Sequence, residues 1–256
     1  MEQAAFPHGD VDYDSAGARY AQQRRADPEI AKVILDALGD ARSVLNVGAG
    51  TGNYEPTDRQ VVALEPSATM RAQRPLNAAP CVIGVAQNLP FDDDSFDAVM
   101  SICSIHQWTD LARGLSEMRR VARGRVAILT FDPTAFDRHW FYEYTPEVVK
   151  TEAQRCPAID HVCALLGKDC TVSTVPIPLH CTDGLNEAFY GRPEMLLKPE
   201  VRAAQSVWLK AGRAAETEAI ARLTKDLASG GWDARFGHLR TQAFFEGSLR
   251  LIVWRR

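Results

Sequence analysis

The chain has 256 residues, 46% of them hydrophobic and 24% charged, which excludes a disordered chain and fits one large globular domain or two small ones. Its formal charge of −4 argues against a protein that tracks a polyanionic backbone. No run approaches the roughly 18 apolar residues of a membrane span, and Met1 to Asp12 lack the blocks of a secretory signal, so a cytoplasmic location is expected.

Ser15 to Arg25 reads as a weak helix, with Tyr13 and Tyr20 near it. A stronger helix starts at Asp27-Pro28-Glu29, where Asp27 caps, Pro28 takes the first helical position and Glu29 suits the positive helix end. Ile30, Val33, Ile34, Ala37 and Leu38 follow at helical spacing, and Gly39 closes the helix. Five short apolar runs come next: Val44–Val47, Val61–Leu64, Cys81–Ile83, Phe96–Ile102 and Arg125–Phe131, with a helix from Leu111 to Val121 between the last two. Continuous apolar strands alternating with helices predict a parallel sheet covered on both faces. Only eight residues separate Gly52 from Val61, and Pro56 is among them, so a loop or single turn is expected there instead of a crossover helix.

Pro146 to Leu166 reads as one helix, and Thr171 to Leu179 as a strand that Pro176 and Pro178 confine to an edge or its end. Residues 181–230 read as mostly helical, with breaks at Gly184, Pro193, Pro199 and Gly212, and Ser248 to Trp254 as a last strand. The expectation is an α/β fold: a doubly wound, mostly parallel seven-stranded sheet with an antiparallel last strand and a helical lid insertion. It forms a single domain, with an N-terminal helical cap (1–40), a cofactor-binding core (41–180), a lid (181–230) and a last-strand region (231–256). The six cysteines, Cys81, Cys103, Cys156, Cys163, Cys170 and Cys181, lack zinc-type spacing and are expected to be reduced; no metal is expected.

The strongest chemical signal is Val44-Leu45-Asn46-Val47-Gly48-Ala49-Gly50-Thr51-Gly52, a buried strand running into a glycine-rich turn. Glycine serves where the backbone takes a positive φ or a ligand approaches closely. Glu65 ends the next strand, where a carboxylate can accept both hydroxyls of a ribose. The turn departs from the dinucleotide GxGxxG pattern and lacks the Gly-Lys-Ser/Thr of a P-loop, so it suits a nucleoside without phosphates.

Four segments in order now carry a resemblance: VLNVGAGTG at 44–52, VVALEPS at 61–67, VAQNLPFDDDSFDAVMSICSIHQW at 85–108 and EMRRVARGRVAILTFDP at 117–133. They resemble the class I S-adenosylmethionine-dependent methyltransferases, in the small-molecule branch of the ubiquinone-type enzymes. The resemblance implies S-adenosyl-L-methionine as cofactor and S-adenosyl-L-homocysteine as product. It places Asn46, Gly48, Ala49 and Gly50 at the methionine part and Glu65 at the ribose. Pro66 and Met70 would pack near the adenine, Ala86 and Gln87 would meet its edge, and Ser101 and Ile102 would approach the methionine amine. Two positions depart from the family pattern: Asn46 replaces the usual acid of the first strand, and Val85 the acid before the adenine contact.

Methyl transfer from a sulfonium is an in-line displacement whose acceleration comes largely from positioning. A base is needed where the acceptor holds a proton. His106 after the fourth strand and Asp132 after the fifth are the catalytic candidates, and Tyr13, Tyr20, His139, Tyr142 and His180 are candidates to line the acceptor site. The expected activity is methyl transfer to O or N of a small, aromatic or heterocyclic metabolite, by a monomer or homodimer that binds neither nucleic acid nor membrane. C-methylation of an activated ring and cofactor binding without transfer stay open as alternatives.

Overall fold

Asp27 starts the first long helix as its sequence predicts. The computed structural model describes residues 20–256, so Tyr13 and the start of the expected helix over 15–25 lie outside the described residues; the remainder is a helical turn at Tyr20–Gln23. Asp27 Oδ1 accepts the backbone N–H groups of Glu29 and Ile30 at 3.0 and 3.4 Å, and the helix Pro28–Leu38 ends on Gly39 at φ 56°. Its apolar stripe, Ile30, Ile34 and Leu38, is fully buried.

The sheet contains β1 (Ser43–Val47), β2 (Gln60–Leu64), β3 (Cys81–Val82), β4 (Phe96–Ile102), β5 (Ala122–Phe131) and β6 (Cys170–Thr174). β7 (Ile177–Pro178) and β8 (Phe244–Phe245) form a separate two-stranded ladder, and β9 (Leu249–Arg255) returns to the main sheet. The strand order is β3-β2-β1-β4-β5-β9-β6, with β1 to β5 parallel and β9 antiparallel to both of its neighbours. The expected architecture, seven strands with an antiparallel last one, is thus present. Strand alternation sends Val44, Met100, Leu129 and Leu251 to one face, where the helix Pro28–Leu38 and the aromatic residues around Trp140 cover them. Leu45, Val99, Ile128 and Ile252 go to the other, under the helices Leu111–Val121 and Ile159–Leu166.

The structure corrects several element expectations. Residues 171–179 are not one strand: β6 stops at Thr174, and the chain leaves the sheet before Pro176, which has no N–H to continue a ladder. The single helix over 146–166 is two, Pro146–Arg155 and Ile159–Leu166, because Pro157 interrupts the backbone bonding. Residues 181–230 hold less α-helix than expected. They contain 3₁₀ turns at Asn186–Phe189 and Pro193–Leu197, then a helix Ser206–Ser229 that breaks at Gly212, where φ is 77°. The segment between β1 and β2 is a loop without a helix, as its length predicts, and all six cysteines are free. No helix among the described residues is long and apolar enough to cross a membrane.

Asp27 also joins the first helix to the later chain: its Oδ2 accepts the Thr182 N–H at 3.0 Å. Asp27→Ala leaves the helix start and Thr182 without this acceptor. It should lower unfolding free energy by about 1–3 kcal/mol, read from the urea midpoint. An unchanged midpoint would contradict that role.

Candidate active site

The carboxyl ends of β1, β2, β4 and β5 meet at one edge of the sheet, where ligands of open parallel sheets bind. The chain leaves β1 through Gly48 at φ 68°, Gly50 at φ 53° and Gly52 at φ 91°, a region that residues with a Cβ rarely adopt. Gly48 and Ala49 donate their N–H groups to the Leu64 carbonyl at 2.9 and 3.1 Å, which presses the turn against the end of β2. A Cβ on Gly48 would come within 1.9 Å of Ser104 Oγ, and one on Gly50 within 3.2 Å of Met70 Cε. Ser104 Oγ in turn accepts Trp108 Nε1–H at 3.1 Å.

Glu65 follows β2 and is buried. Its Oε2 accepts the Gly50 N–H at 2.8 Å and its Oε1 the Ser67 N–H at 2.9 Å. Burial raises its pKa above the ordinary carboxylate value, against the opposing pull of those two N–H groups. A carboxylate offers about four lone-pair sites, so Glu65 retains acceptor capacity beyond the two bonds.

Asn46 is also buried, and its Nδ2 donates to Glu55 Oε1 at 3.1 Å. Glu55 comes from the loop that replaces the crossover helix and pairs with Arg74 at 2.8 Å, both side chains less than a tenth exposed. Arg74 reaches on to the Ala79 carbonyl at 3.0 Å. Glu55 thus places a carboxylate beside Asn46, paired with Arg74. Glu55 and Arg74 were not legible as site residues, because neither sits in a motif segment; Trp108 ends the segment at 85–108, but nothing in that pattern assigned it a role. Asn46 Oδ1, Thr51 Oγ1 and Ser101 Oγ are buried without a hydrogen-bond partner, as expected of a polar cradle shaped for a ligand.

Beyond β4 a second space opens. Tyr20, Cys103, His106 and His139 line this cavity, with Phe131, Phe136 and Phe141 among its walls. Cys103 takes φ 51° at the end of β4, and burial pushes its thiol up to about 12. Because Ser104 touches the glycine turn and its neighbours Cys103 and His106 line the cavity, one short segment joins cradle to cavity. Arg24 lines the same wall and is ion-paired to Asp183, whose Oδ2 also accepts Tyr54 Oη–H at 2.9 Å. Asn186 and Glu187 enter from the 3₁₀ turn of the late insertion; these two and Arg24 had no motif to reveal them.

The candidates from the sequence divide accordingly. Asn46, Gly48, Ala49, Gly50, Glu65 and Met70 gather around the turn. Pro66 follows Glu65 and accepts a hydrogen bond from Arg71 with its carbonyl, and Ser101 and Ile102 end β4. Ala86 is buried beside the helix Leu111–Val121, and Gln87 Nε2 donates to Thr109 Oγ1 at 3.0 Å. Asp132 is the clearest departure: it is not a cavity-lining residue. Its carboxylate caps the 3₁₀ helix Pro133–Arg138, accepting Thr134 N–H at 3.0 Å, and pairs with Arg250 at 3.1 Å. His180 is exposed, and neither it nor Tyr142 is among the residues lining the cavity.

The family model described as a methyltransferase domain matches residues 45–129. A malonyl-[acyl-carrier protein] O-methyltransferase of Halorhodospira halophila is 31% identical over 138 residues, 47% of each chain. A demethylmenaquinone methyltransferase of Roseiflexus castenholzii is 36% identical over 128 residues, 44% of this chain and 54% of the other. The chain thus spans about half the length of the curated relatives it matches. A crystal structure from Anabaena variabilis, taken to be a methyltransferase of an antibiotic biosynthesis pathway, superposes with a TM-score of 0.85 at 31% identity, over 91% of this chain and 99% of that one. The chain belongs to the class I S-adenosylmethionine-dependent methyltransferases.

The cradle of this methyltransferase fits the family's cofactor. Glu65 would hold the ribose hydroxyls, the turn Gly48–Gly50 and the unpartnered Asn46 Oδ1 would hold the methionine part, and Met70 would pack against the base. When bound, the cofactor supplies an electrophilic methyl group. Glu65→Ala should weaken S-adenosylhomocysteine binding by at least about tenfold in calorimetry, the worth of a charge-assisted hydrogen bond. Unchanged affinity would remove Glu65 from the ribose position.

The cavity also predicts a pH effect. Burial raises the Glu187 pKa from 4.5 to about 7, so the folded state holds a proton that the unfolded state has lost between those values. Stability from this group is complete below pH 4.5 and declines as pH rises through about 7. Compared with wild type, Glu187→Gln should therefore gain melting temperature on going from about pH 5 to about pH 8. A pH-independent difference would contradict the shift.

Proposed function

We propose that this methyltransferase moves the methyl group of S-adenosylmethionine to O or N of a small, aromatic or heterocyclic metabolite by in-line displacement, in the cytoplasm. The observation that carries the reading is the aromatic-walled cavity adjoining the glycine turn, of which Phe131, Phe136 and Phe141 form part. Ligand sites are concave and largely apolar, with a few polar groups that fix orientation, and this cavity has that composition. It is lined by separate segments of one chain, which suits a small ring better than a polymer. The acidic balance of the chain supports the same choice.

The protein's own contribution is placement. The acceptor atom must lie about 3 Å from the methyl carbon and in line with the breaking bond. Cys103 and His106, on the segment between cradle and cavity, stand where that atom would be oriented. Wall residues of the late chain would exclude water from the reacting centre. The family match ends at Leu129, whereas most of the cavity comes from residues after it, so the acceptors of the curated relatives do not transfer to this chain. The cyanobacterial neighbour's description suits an acceptor from secondary metabolism.

The test is transfer of labelled methyl groups into fractions of a cell extract. Label should pass into low-mass, organic-extractable compounds, with one S-adenosylhomocysteine released per methyl. Label retained on the cofactor in every fraction, or passing into RNA or protein, would contradict the reading.

A further inference from the structure

The acceptor cavity contains a buried carboxyl group without an ion-pair partner among the described residues. Its Arg24 is paired with Asp183, and its Glu152 with Arg155. Glu187 is buried, and among the described residues no lysine or arginine lies within ion-pair distance of it. Its two carboxylate oxygens share the Ser248 backbone N–H, at 3.0 Å each, and the Ser248 side chain also favours its charged form. Further buried polar atoms of the same cavity without a hydrogen-bond partner include Asn186 Oδ1, His139 Nε2 and Ser248 Oγ. A carboxylate and a carbonyl oxygen only accept hydrogen bonds. Buried acceptors of this kind are normally satisfied, and the N–H groups of a ligand would add donors to the Ser248 backbone N–H and hydroxyl. The aromatic walls add an affinity for cations over their ring faces.

We propose that the acceptor is a small arylalkyl amine, bound as its ammonium with N–H groups directed at Glu187 and Asn186, and that Glu187 receives the proton that frees the nitrogen lone pair. This rests on the reading of the chain as a small-molecule methyltransferase and selects N over O within it. The step balances. The ammonium gives one proton to the Glu187 carboxylate and becomes a neutral amine. Its lone pair forms the new C–N bond as the carbon–sulfur bond breaks; that bonding pair stays on sulfur, and the product leaves as a methylated ammonium. Burial holds Glu187 near pH 7, suited to accepting a proton and returning it to solvent. The charged groups nearest to Glu187 are Arg250, which pairs with Asp132, and the exposed Arg138. His139 faces the same cavity as a neutral imidazole, since burial lowers its pKa to about 3.

The test is binding of three probes of like shape to the protein saturated with S-adenosylhomocysteine: phenethylamine, 2-phenylethanol and 3-phenylpropionate. Calorimetry should give phenethylamine at least about tenfold higher affinity than the other two, the value of a charge-assisted contact. Glu187→Gln should abolish that preference while leaving S-adenosylhomocysteine affinity unchanged. Wild-type protein supplies a check that needs no variant: phenethylamine should bind several-fold more weakly at about pH 5.5 than at about pH 8.5, as Glu187 takes up its proton. Equal or better binding of the alcohol or the carboxylate, no binding of phenethylamine, or a preference that survives Glu187→Gln would overturn the proposal. Failure of S-adenosylhomocysteine itself to bind would instead overturn the methyltransferase reading beneath it.

Discussion

The site depends on one contact: the buried Glu65 carboxylate held by the Gly50 and Ser67 N–H groups. It ties the turn after β1 to the end of β2, so both strands deliver their last residues to the same point. Three positive-φ glycines make that turn possible. Without a Cβ, Gly48 lets Ser104 approach, and Ser104 brings the segment after β4 against the turn. The cradle and the aromatic-walled cavity are adjacent for this reason, and adjacency is what a displacement reaction would require.

The loop between β1 and β2 has a second consequence. A crossover helix at this place would present its N-terminus to the ligand; here the polar work falls to side chains. Glu55 and Arg74 form a buried pair that receives Asn46, and Arg74 also holds the Ala79 carbonyl before β3. A buried pair is costly to break, because the surviving charge has no partner. The pair fixes the loop beside Asn46 at the end of β1.

Much of this was legible in the sequence, and the reasons are physical. β1, β4 and β5 are covered on both faces, so they read as continuous apolar runs. The helix Pro28–Leu38 carries its own cap, its proline and its stripe. The glycines and Glu65 announced a nucleoside site because few other residues satisfy that geometry. The insertion was less legible, since 3₁₀ turns have no strong period and Pro157 and Pro176 act only where the chain must bond. Asp132 shows the limit of position alone: it follows β5 at the right edge, but Thr134 and Arg250 hold its carboxylate. Glu187 illustrates the reverse. It lies in a short turn beside apolar residues with nothing to mark it, and only tertiary packing brings it and its neighbour Asn186 to His139 around one cavity. A site assembled from loops leaves no local pattern, whereas a strand-turn-strand site does.

The central claim is that the glycine turn and the aromatic cavity are two halves of one reaction centre. A crystal structure with S-adenosylhomocysteine tests it most directly. The account predicts ribose hydroxyls on Glu65 and the sulfur facing the cavity that His106 and Glu187 line. A ligand whose sulfur faces away from that cavity, or which sits elsewhere on the sheet, would contradict it.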